Sequence, residues 1–299
     1  MYSYSAYNLR IRSEICLPEL EDGATGPDVV IRCGQVRRKG AVGSDASHWS
    51  WSGDKEVILY WADIGTFLIR NGNEIIVDAD LSASPERVRL FLLGAAMGTL
   101  LQQRRLTVLH GSAAAINGGA IVFLGGKGWG KSTMAAILHG MGYDLLADDV
   151  IAVDLAQGVP TVLPSFPQLK LWPDVLAFIG QNARGLPRLH PDFDKRDYRP
   201  GNGLATEPVF LKRIYLLGKH TKPIIEPIGG TQALWQLLPH WYCARFGPQV
   251  LGNLGLDTQF LQCVDLVQQV PIFHLKRPRA LDGLSEVGQL VHEHDDLTL

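Results

Sequence analysis

Cysteine is scarce in this chain: four residues in 299, Cys16, Cys33, Cys243 and Cys263, scattered along its length. No C-x-x-C pair or Cys/His cluster occurs, which argues against a zinc site. Charge is sparse too. Charged residues make up 19% of the chain, below the usual quarter, and the formal net charge is −2. That balance gives no electrostatic case for nucleic acid or an anionic membrane as partner. The short basic runs Arg37-Arg38-Lys39 and Arg104-Arg105 read as solvated patches. Long hydrophobic runs are missing as well. The longest, Leu90 to Leu101, falls short of the roughly 20 residues that a bilayer span needs, and it reads as a buried helix. Met1-Tyr2-Ser3-Tyr4-Ser5 leads into polar, strand-like sequence rather than a signal peptide. A cytoplasmic protein with reduced thiols is the expectation. No internal repeat or low-complexity stretch is evident.

What is present begins with glycine. Gly125-Gly126-Lys127-Gly128-Trp129-Gly130-Lys131-Ser132 fits the phosphate-binding pattern G-x-x-x-x-G-K-[ST]. An apolar run, Ala120-Ile121-Val122-Phe123-Leu124, precedes it and reads as a buried strand. Thr133-Met134-Ala135-Ala136-Ile137-Leu138 follows and reads as a helix. Glycines let several backbone N–H groups turn toward one phosphate chain, and the helix N-terminus adds partial positive charge there. Gly125 to Thr133 is therefore the candidate nucleotide cradle. Lys131 can reach the β- and γ-phosphates, and the Ser132 hydroxyl can hold Mg²⁺. Trp129 is unusual inside such a loop; packing on a neighbouring strand is the preferred reading over covering a nucleotide.

Asp148-Asp149 follows Lys131 by seventeen residues. One helix, a Gly140/Gly142 break and a short strand from Tyr143 to Ala147 lie between, so the acids end the strand next after the loop's helix. Val150 to Val153 continues as strand. Two carboxylates beside a phosphate loop can divide the work: one holds Mg²⁺, the other accepts a proton from an attacking hydroxyl. His110 lies fifteen residues before Gly125. It ends a strand, Leu106 to Leu109, that could pair beside the loop's strand, with His110 to Gly119 leading into a hairpin-like turn.

His110-Gly111, then Gly125 to Ser132, then Ala147-Asp148-Asp149 resembles the core of the HPr kinase/phosphorylase family. The related nucleotide-binding core of the phosphoenolpyruvate carboxykinases is similar. The resemblance covers residues 106 to 154. It implies a P-loop-containing α/β fold of that kind and a kinase using ATP and Mg²⁺. It implies Asp148 as catalytic base, Asp149 and Ser132 at Mg²⁺, and His110 near the metal and γ-phosphate. The family's glycine-rich segment after the acid pair is not visible. Pro164 to Asp174 stands in its place, which points away from the reverse, dephosphorylating reaction. The chain looks more like the divergent HPr-kinase-like proteins of bacterial gene clusters, including those resembling kinases of lasso peptide precursors.

Residues 1–84 read as a β-rich N-terminal subdomain and 85–299 as the kinase domain. Glu56 to Trp61, Gly65 to Arg70 and Glu74 to Asp78 read as strands, with Asn71-Gly72-Asn73 as a turn. Ser84-Pro85-Glu86-Arg87 starts a helix that runs to about Gln103. After Val153 the chain reads as Pro-rich and irregular to about Pro208. Strands at Val209 to Leu217 and Ile224 to Ile228 follow, then helical patterns near 231–245 and 258–268, a strand at Val270 to Leu275, and a helix from Leu281 to His292. Within the irregular stretch, Lys170 and the run Asp194-Lys195-Arg196-Asp197 are noted. Lys195 and Arg196 are candidate cations for the transferring phosphoryl group or the acceptor. The alternative is a pair of solvated charges matched by Asp194 and Asp197.

These readings converge on transfer of the γ-phosphoryl of ATP to a hydroxyl, with a serine of a protein or peptide as the expected acceptor. Neither nucleic acid nor membrane is expected as partner, and homo-oligomerisation is left open. Two rivals remain. Carboxykinase or metabolite-kinase chemistry uses the same core, but the carboxykinase needs a second metal and an arginine-rich pocket that the sequence does not display. A non-catalytic nucleotide-binding regulator would need no base.

Overall fold

The structure is a computed structural model that describes residues 1–37, 48–53, 55–166, 168–190, 193–246, 250, 252 and 254–296. Arg38, Lys39 and Pro167 therefore lie outside the described residues. The architecture is mixed α/β, and contacts divide the chain into two units: Met1–Val108 with Trp241–Leu261, and Leu109–His240 with Gln262–Leu299. The division at residue 84 read from the sequence thus falls inside the first unit.

The first unit follows from alternation. Strands β1 (Tyr2–Ala6), β2 (Leu9–Ser13), β3 (Glu21–Asp22), β4 (Val29–Cys33), β5 (His48–Gly53), β6 (Glu56–Trp61), β7 (Gly65–Arg70) and β8 (Glu74–Ala79) make one sheet in the order β3-β1-β2-β4-β8-β7-β6-β5. In β2 every second residue is buried (Leu9, Ile11, Ser13), the two-residue period of a half-buried strand. Asn71 and Gly72 both take positive φ, 56° and 65°, in the turn joining β7 to β8. Ser84 caps α1 (Pro85–Phe91), its hydroxyl accepting from the Arg87 N–H at 3.4 Å. A π-helical turn (Leu92–Ala96) carries the chain into α2 (Met97–Gln103), and the apolar run there is buried. Among the described residues no helix is long and apolar enough to cross a membrane.

The second unit is built on β9 (Thr107–Ile116) and β10 (Gly119–Leu124), an antiparallel hairpin whose turn residues, Asn117 and Gly118, both take positive φ. His110 thus sits inside a continuous ten-residue strand rather than at the end of a short one, because Gly111 to Ile116 pair along β10 instead of leaving the sheet. β10 leads through the loop to α3 (Lys131–Gly140) and on to β11 (Asp144–Asp154). The two short runs flanking Asp148-Asp149 are one strand, so the acids lie within it and not at its end. β12 (Thr161–Leu163) pairs with β11 and with β16 (Val209–Lys219), which runs parallel to β10. β17 (Ile224–Ile228) and β18 (Ile272–Arg277) complete the sheet, in the order β10-β9-β11-β12-β16-β18-β17. Because β10 also pairs with β16, the strands β10, β9, β11, β12 and β16 form a closed circuit.

The stretch from 164 to 207 is not irregular. It holds β13 (Leu169–Leu171), α4 (Pro173–Phe178), β14 (Arg188–His190) and β15 (Phe193–Tyr198), with a small antiparallel sheet in the order β13-β15-β14. Strands of three residues are too short for periodicity to reveal. Leu169, Leu171, Val175 and Leu176 bury themselves against Ala135 and Ala136 of α3. Among the described residues, further α-helices are α5 (Gly230–Leu237), α6 (Leu256–Gln269) and α7 (Leu284–Asp296).

On the other side of α3, Met134, Ile137 and Leu138 pack with Phe123, Tyr215, Leu275 and the buried face of α7. The rings of Phe123 and Tyr215 stack at 5.7 Å. Asp295, near the end of α7, is fully buried, and its carboxylate accepts from Lys212 Nζ at 2.9 Å and Asn117 Nδ2 at 3.0 Å, with Arg213 Nη2 at 3.5 Å. It fastens α7 to β16 and to the β9–β10 turn. Replacing one member of a buried ion pair strands the other charges, at a cost of about 3–5 kcal/mol. Asp295→Ala is therefore expected to lower the denaturation midpoint strongly and Asp295→Asn less so, read by chemical denaturation; equal midpoints for Asp295→Ala and the parent chain would refute the fastening role.

Candidate active site

The loop between β10 and α3 takes its shape from glycine. Gly128 and Gly130 have φ of 77° and 90°, in the left-handed region that favours glycine. A side chain at Gly130 would also run into the guanidinium of Arg277. Arg277 is buried at the end of β18, and its Nη2 donates to the Trp129 carbonyl at 3.2 Å. Burial pulls the Arg277 pKa below its ordinary value. Gly130 is the N-cap of α3, no side chain caps that end, and the first turn carries no acid. The helix start is therefore open to an anion. Lys131 is buried, and its ammonium donates to the carbonyls of Gly125 at 2.9 Å and Gly126 at 3.3 Å. Ser132 is half-buried and Thr133 buried in the same turn. The indole of Trp129 lies over Gly126, packs partly on the core and has Lys219 Nζ 5.5 Å from its ring. Lys127 reaches the ring of Phe193, at 5.6 Å.

The acid pair owes its geometry to one residue. Successive side chains in a strand point to opposite faces. Asp149 has φ of 73°, which breaks that alternation. Both carboxylates then meet side chains from the same face of β9, where His110 and Ser112 are two residues apart. The Ser112 hydroxyl donates to Asp148 Oδ1 at 2.5 Å, and the Lys170 backbone N–H donates to Asp148 Oδ2 at 3.0 Å. His110 Nδ1 lies 3.1 Å from Asp149 Oδ1, and Lys170 Nζ lies 2.8 Å from Asp149 Oδ2. Asp148 is buried and Asp149 half-buried.

The small sheet delivers the lysines. Leu169 and Leu171 face inward, so Lys170 between them faces the acids. Lys170 pairs with Asp197 of β15, which puts Lys195, two residues earlier, on the same face. Burial lowers the pKa of Lys195; Asp148 and Asp149 raise it, while Lys170 and Lys127 lower it. Lys195 thus shares the face of the small sheet that Lys170 turns to the acids. Its ammonium is 5.9 Å from the half-exposed Trp172 ring.

Arg196 does not join this group. It pairs with Leu171 across the sheet, on the opposite face from Lys195. Its Nη2 bonds Asp194 Oδ1 at 2.6 Å and its Nη1 donates to the Leu186 carbonyl at 3.0 Å. Strand alternation separates the two neighbours that the sequence reading grouped. Asp197 is matched instead by Gln168 and Arg199. Ser112, His240 and Arg277 carried no assignment in the sequence. Ser112 stands two residues after His110, a spacing that a recognised strand would have placed on one face. His240 and Arg277 lie far along the chain with no local pattern to mark them.

No protein-family model matches the chain, and neither does any curated protein. Among solved structures, the HPr(Ser) kinase/phosphatase from Coxiella burnetii is similar at 12% identity and a TM-score of 0.35, over 64% of this chain and 97% of that one. A likeness of this degree assigns neither family nor activity.

Burial chiefly, then the influence of Lys131 and His110, pulls the pKa of His240 from 6.5 down to about 4. The folded protein therefore keeps this imidazole neutral where the unfolded chain would protonate it. Stability linked to His240 is present above the unfolded value of 6.5 and is lost as pH falls from there toward about 4. His240→Gln, which cannot charge, is expected to lose less stability than the parent chain between those limits, measured by denaturation at a series of pH values. Parallel pH profiles for the two proteins would contradict this.

Proposed function

We propose that the protein is an ATP- and Mg²⁺-dependent kinase that transfers the γ-phosphoryl group to a hydroxyl, a serine of a protein or peptide. One observation carries the reading: Lys170 holds both acids, Asp148 through its backbone N–H and Asp149 through its ammonium, on the sheet face it shares with Lys195, while Lys127 of the glycine loop reaches Phe193 of that same small sheet. A nucleotide-binding protein without chemistry needs the loop. It does not need a buried carboxylate oriented by a serine hydroxyl and a backbone amide beside it.

The roles follow from the side chains. The open start of α3 and Lys131 receive the β- and γ-phosphates. Asp148, held by Ser112 and the Lys170 amide, takes the proton of the acceptor hydroxyl. That oxygen bonds the γ-phosphorus as the bond to the β,γ-bridging oxygen breaks, and ADP leaves. Lys195 and Lys170 oppose the negative charge on the transferring group. His110 orients Asp149 at 3.1 Å. Ser132 and Asp149 supply oxygen donors suited to Mg²⁺, which takes few protein ligands beside phosphate. Asp149 is half-buried beside His110 and Lys170, and Ser132 is half-buried in the first turn of α3. Bound Mg²⁺ would neutralise charge on the phosphates. The small sheet bearing Lys195 is the natural wall for an acceptor polypeptide. Arg196 takes no part in an acceptor contact, its guanidinium being turned to Asp194 and the Leu186 carbonyl.

Two substitutions separate binding from chemistry. Lys131→Ala is expected to weaken ATP binding or turnover sharply in calorimetric titration, and unchanged values for both would remove the nucleotide site. Asp148→Asn is expected to keep ATP binding while transfer to the acceptor falls by roughly 10²–10⁴-fold, the scale of general base catalysis. Labelled ATP incubated with lysate should mark one polypeptide on an acid-stable serine phosphate. Label confined to a small metabolite would favour a metabolite kinase instead.

A further inference from the structure

The ammonium of Lys170 occupies a carboxylate oxygen that the kinase reading reserves for a divalent cation. Its Nζ lies 2.8 Å from Asp149 Oδ2, while its own backbone N–H holds Asp148 Oδ2 at 3.0 Å. One residue thus touches both acids, by two different groups. The backbone bond is indifferent to what the side chain does, so β13 can stay docked while the ammonium moves. The other oxygen of Asp149 faces His110 Nδ1 at 3.1 Å. Lys195 lies on the same face of the small sheet, so a second positive charge is already near. An ammonium and a doubly charged cation on one carboxylate repel strongly at such distances. They must exchange rather than coexist.

We propose that Lys170 is a resident counter-ion of Asp149, which it neutralises in the nucleotide-free protein and releases when a divalent cation arrives with the phosphates. The displaced ammonium keeps its place on the face shared with Lys195, where the transferring phosphoryl becomes its new partner. The exchange makes cation binding conditional on nucleotide. Alone, a divalent cation must evict Lys170 with no anion to receive it; with the triphosphate present, both cations gain a partner. The site therefore stays closed to free divalent metal, and metal enters with its phosphates. Lys170 is a positioning residue for Asp149 in one state and a charge donor in the other. This inference rests on the reading of Asp149 as the divalent-cation ligand.

The test measures Mn²⁺ binding without nucleotide, by the electron paramagnetic resonance signal of free Mn²⁺, in the full chain and in Lys170→Met. Removing the competing charge is expected to tighten Mn²⁺ binding about tenfold or more, the scale on which an adjacent charge alters a carboxylate's affinity for a cation. Lys170→Arg keeps a cation and should leave Mn²⁺ affinity at the parent level. Lys170→Gln serves as a second neutral variant should the methionine protein fail to fold. Mn²⁺ affinity in the neutral variants that equals the parent's, falls below it or is equally undetectable overturns the counter-ion role. A parallel ATP titration keeps the two readings apart. ATP binding with unchanged Mn²⁺ affinity sinks this inference alone, whereas no ATP binding by the parent chain sinks the kinase reading itself.

Discussion

Two neighbouring carboxylates in one strand can serve one site only if the backbone turns over between them. At Asp149 it does, with φ of 73°. Aspartate is among the few residues that tolerate this region, and the conformation costs of order 1–3 kcal/mol when the surroundings enforce it. The enforcement is visible. His110 Nδ1 lies 3.1 Å from both the backbone carbonyl and a carboxylate oxygen of Asp149, and Lys170 holds the other carboxylate oxygen. Without the turnover, Asp148 and Asp149 would face opposite sides of β11, and the site would keep only one acid.

The loop and the acids are served from opposite flanks of α3. One flank packs Met134 and Leu138 into the main core with Phe123, Tyr215 and α7. The other packs Ala135 and Ala136 against Leu169, Leu171 and Val175. Small residues on that second flank let β13 approach closely enough for its amide to reach Asp148. The lysines are thus delivered by the same apolar contacts that hold the small sheet to the helix.

Much of this was legible in the residues. The strand–loop–helix at 119–140 announces itself because an apolar run, the spaced Gly125, Gly130, Lys131 and Ser132, and a helical run occur in order. The Asn71-Gly72 turn and the Ser84-Pro85 helix start carry local chemistry of the same kind. Where the signal was tertiary, it was lost. The strands of 164–207 are three to six residues long and interrupted by proline, so no period could develop. Lys195 and Arg196 look alike in sequence; only the pairing of Lys170 with Asp197 and Leu171 with Arg196 decides which one faces the acids. His240 stands 109 positions beyond Lys131, by subtraction of their numbers, and comes under the influence of its charge only through folding. The continuity of β9 and β11 through His110 and Asp149 was hidden by the glycine and the acids within them.

The closed circuit of β10, β9, β11, β12 and β16 has a consequence for how such a site can be lost or acquired. In an open sheet, one strand can slip by a residue and exchange its two faces while its neighbours stay put. In a ring each strand is held from both sides, so no member slips alone. A slip of β9 would trade His110 and Ser112 for Gly111 and Ala113, leaving both acids without their oriented partners. The ring makes that failure collective: register is kept everywhere or nowhere. Gradual drift of the site is thereby blocked, and variation is channelled to β17 at the open margin and to the small sheet outside the ring. Those are the regions where a new acceptor could be accommodated without disturbing the acids.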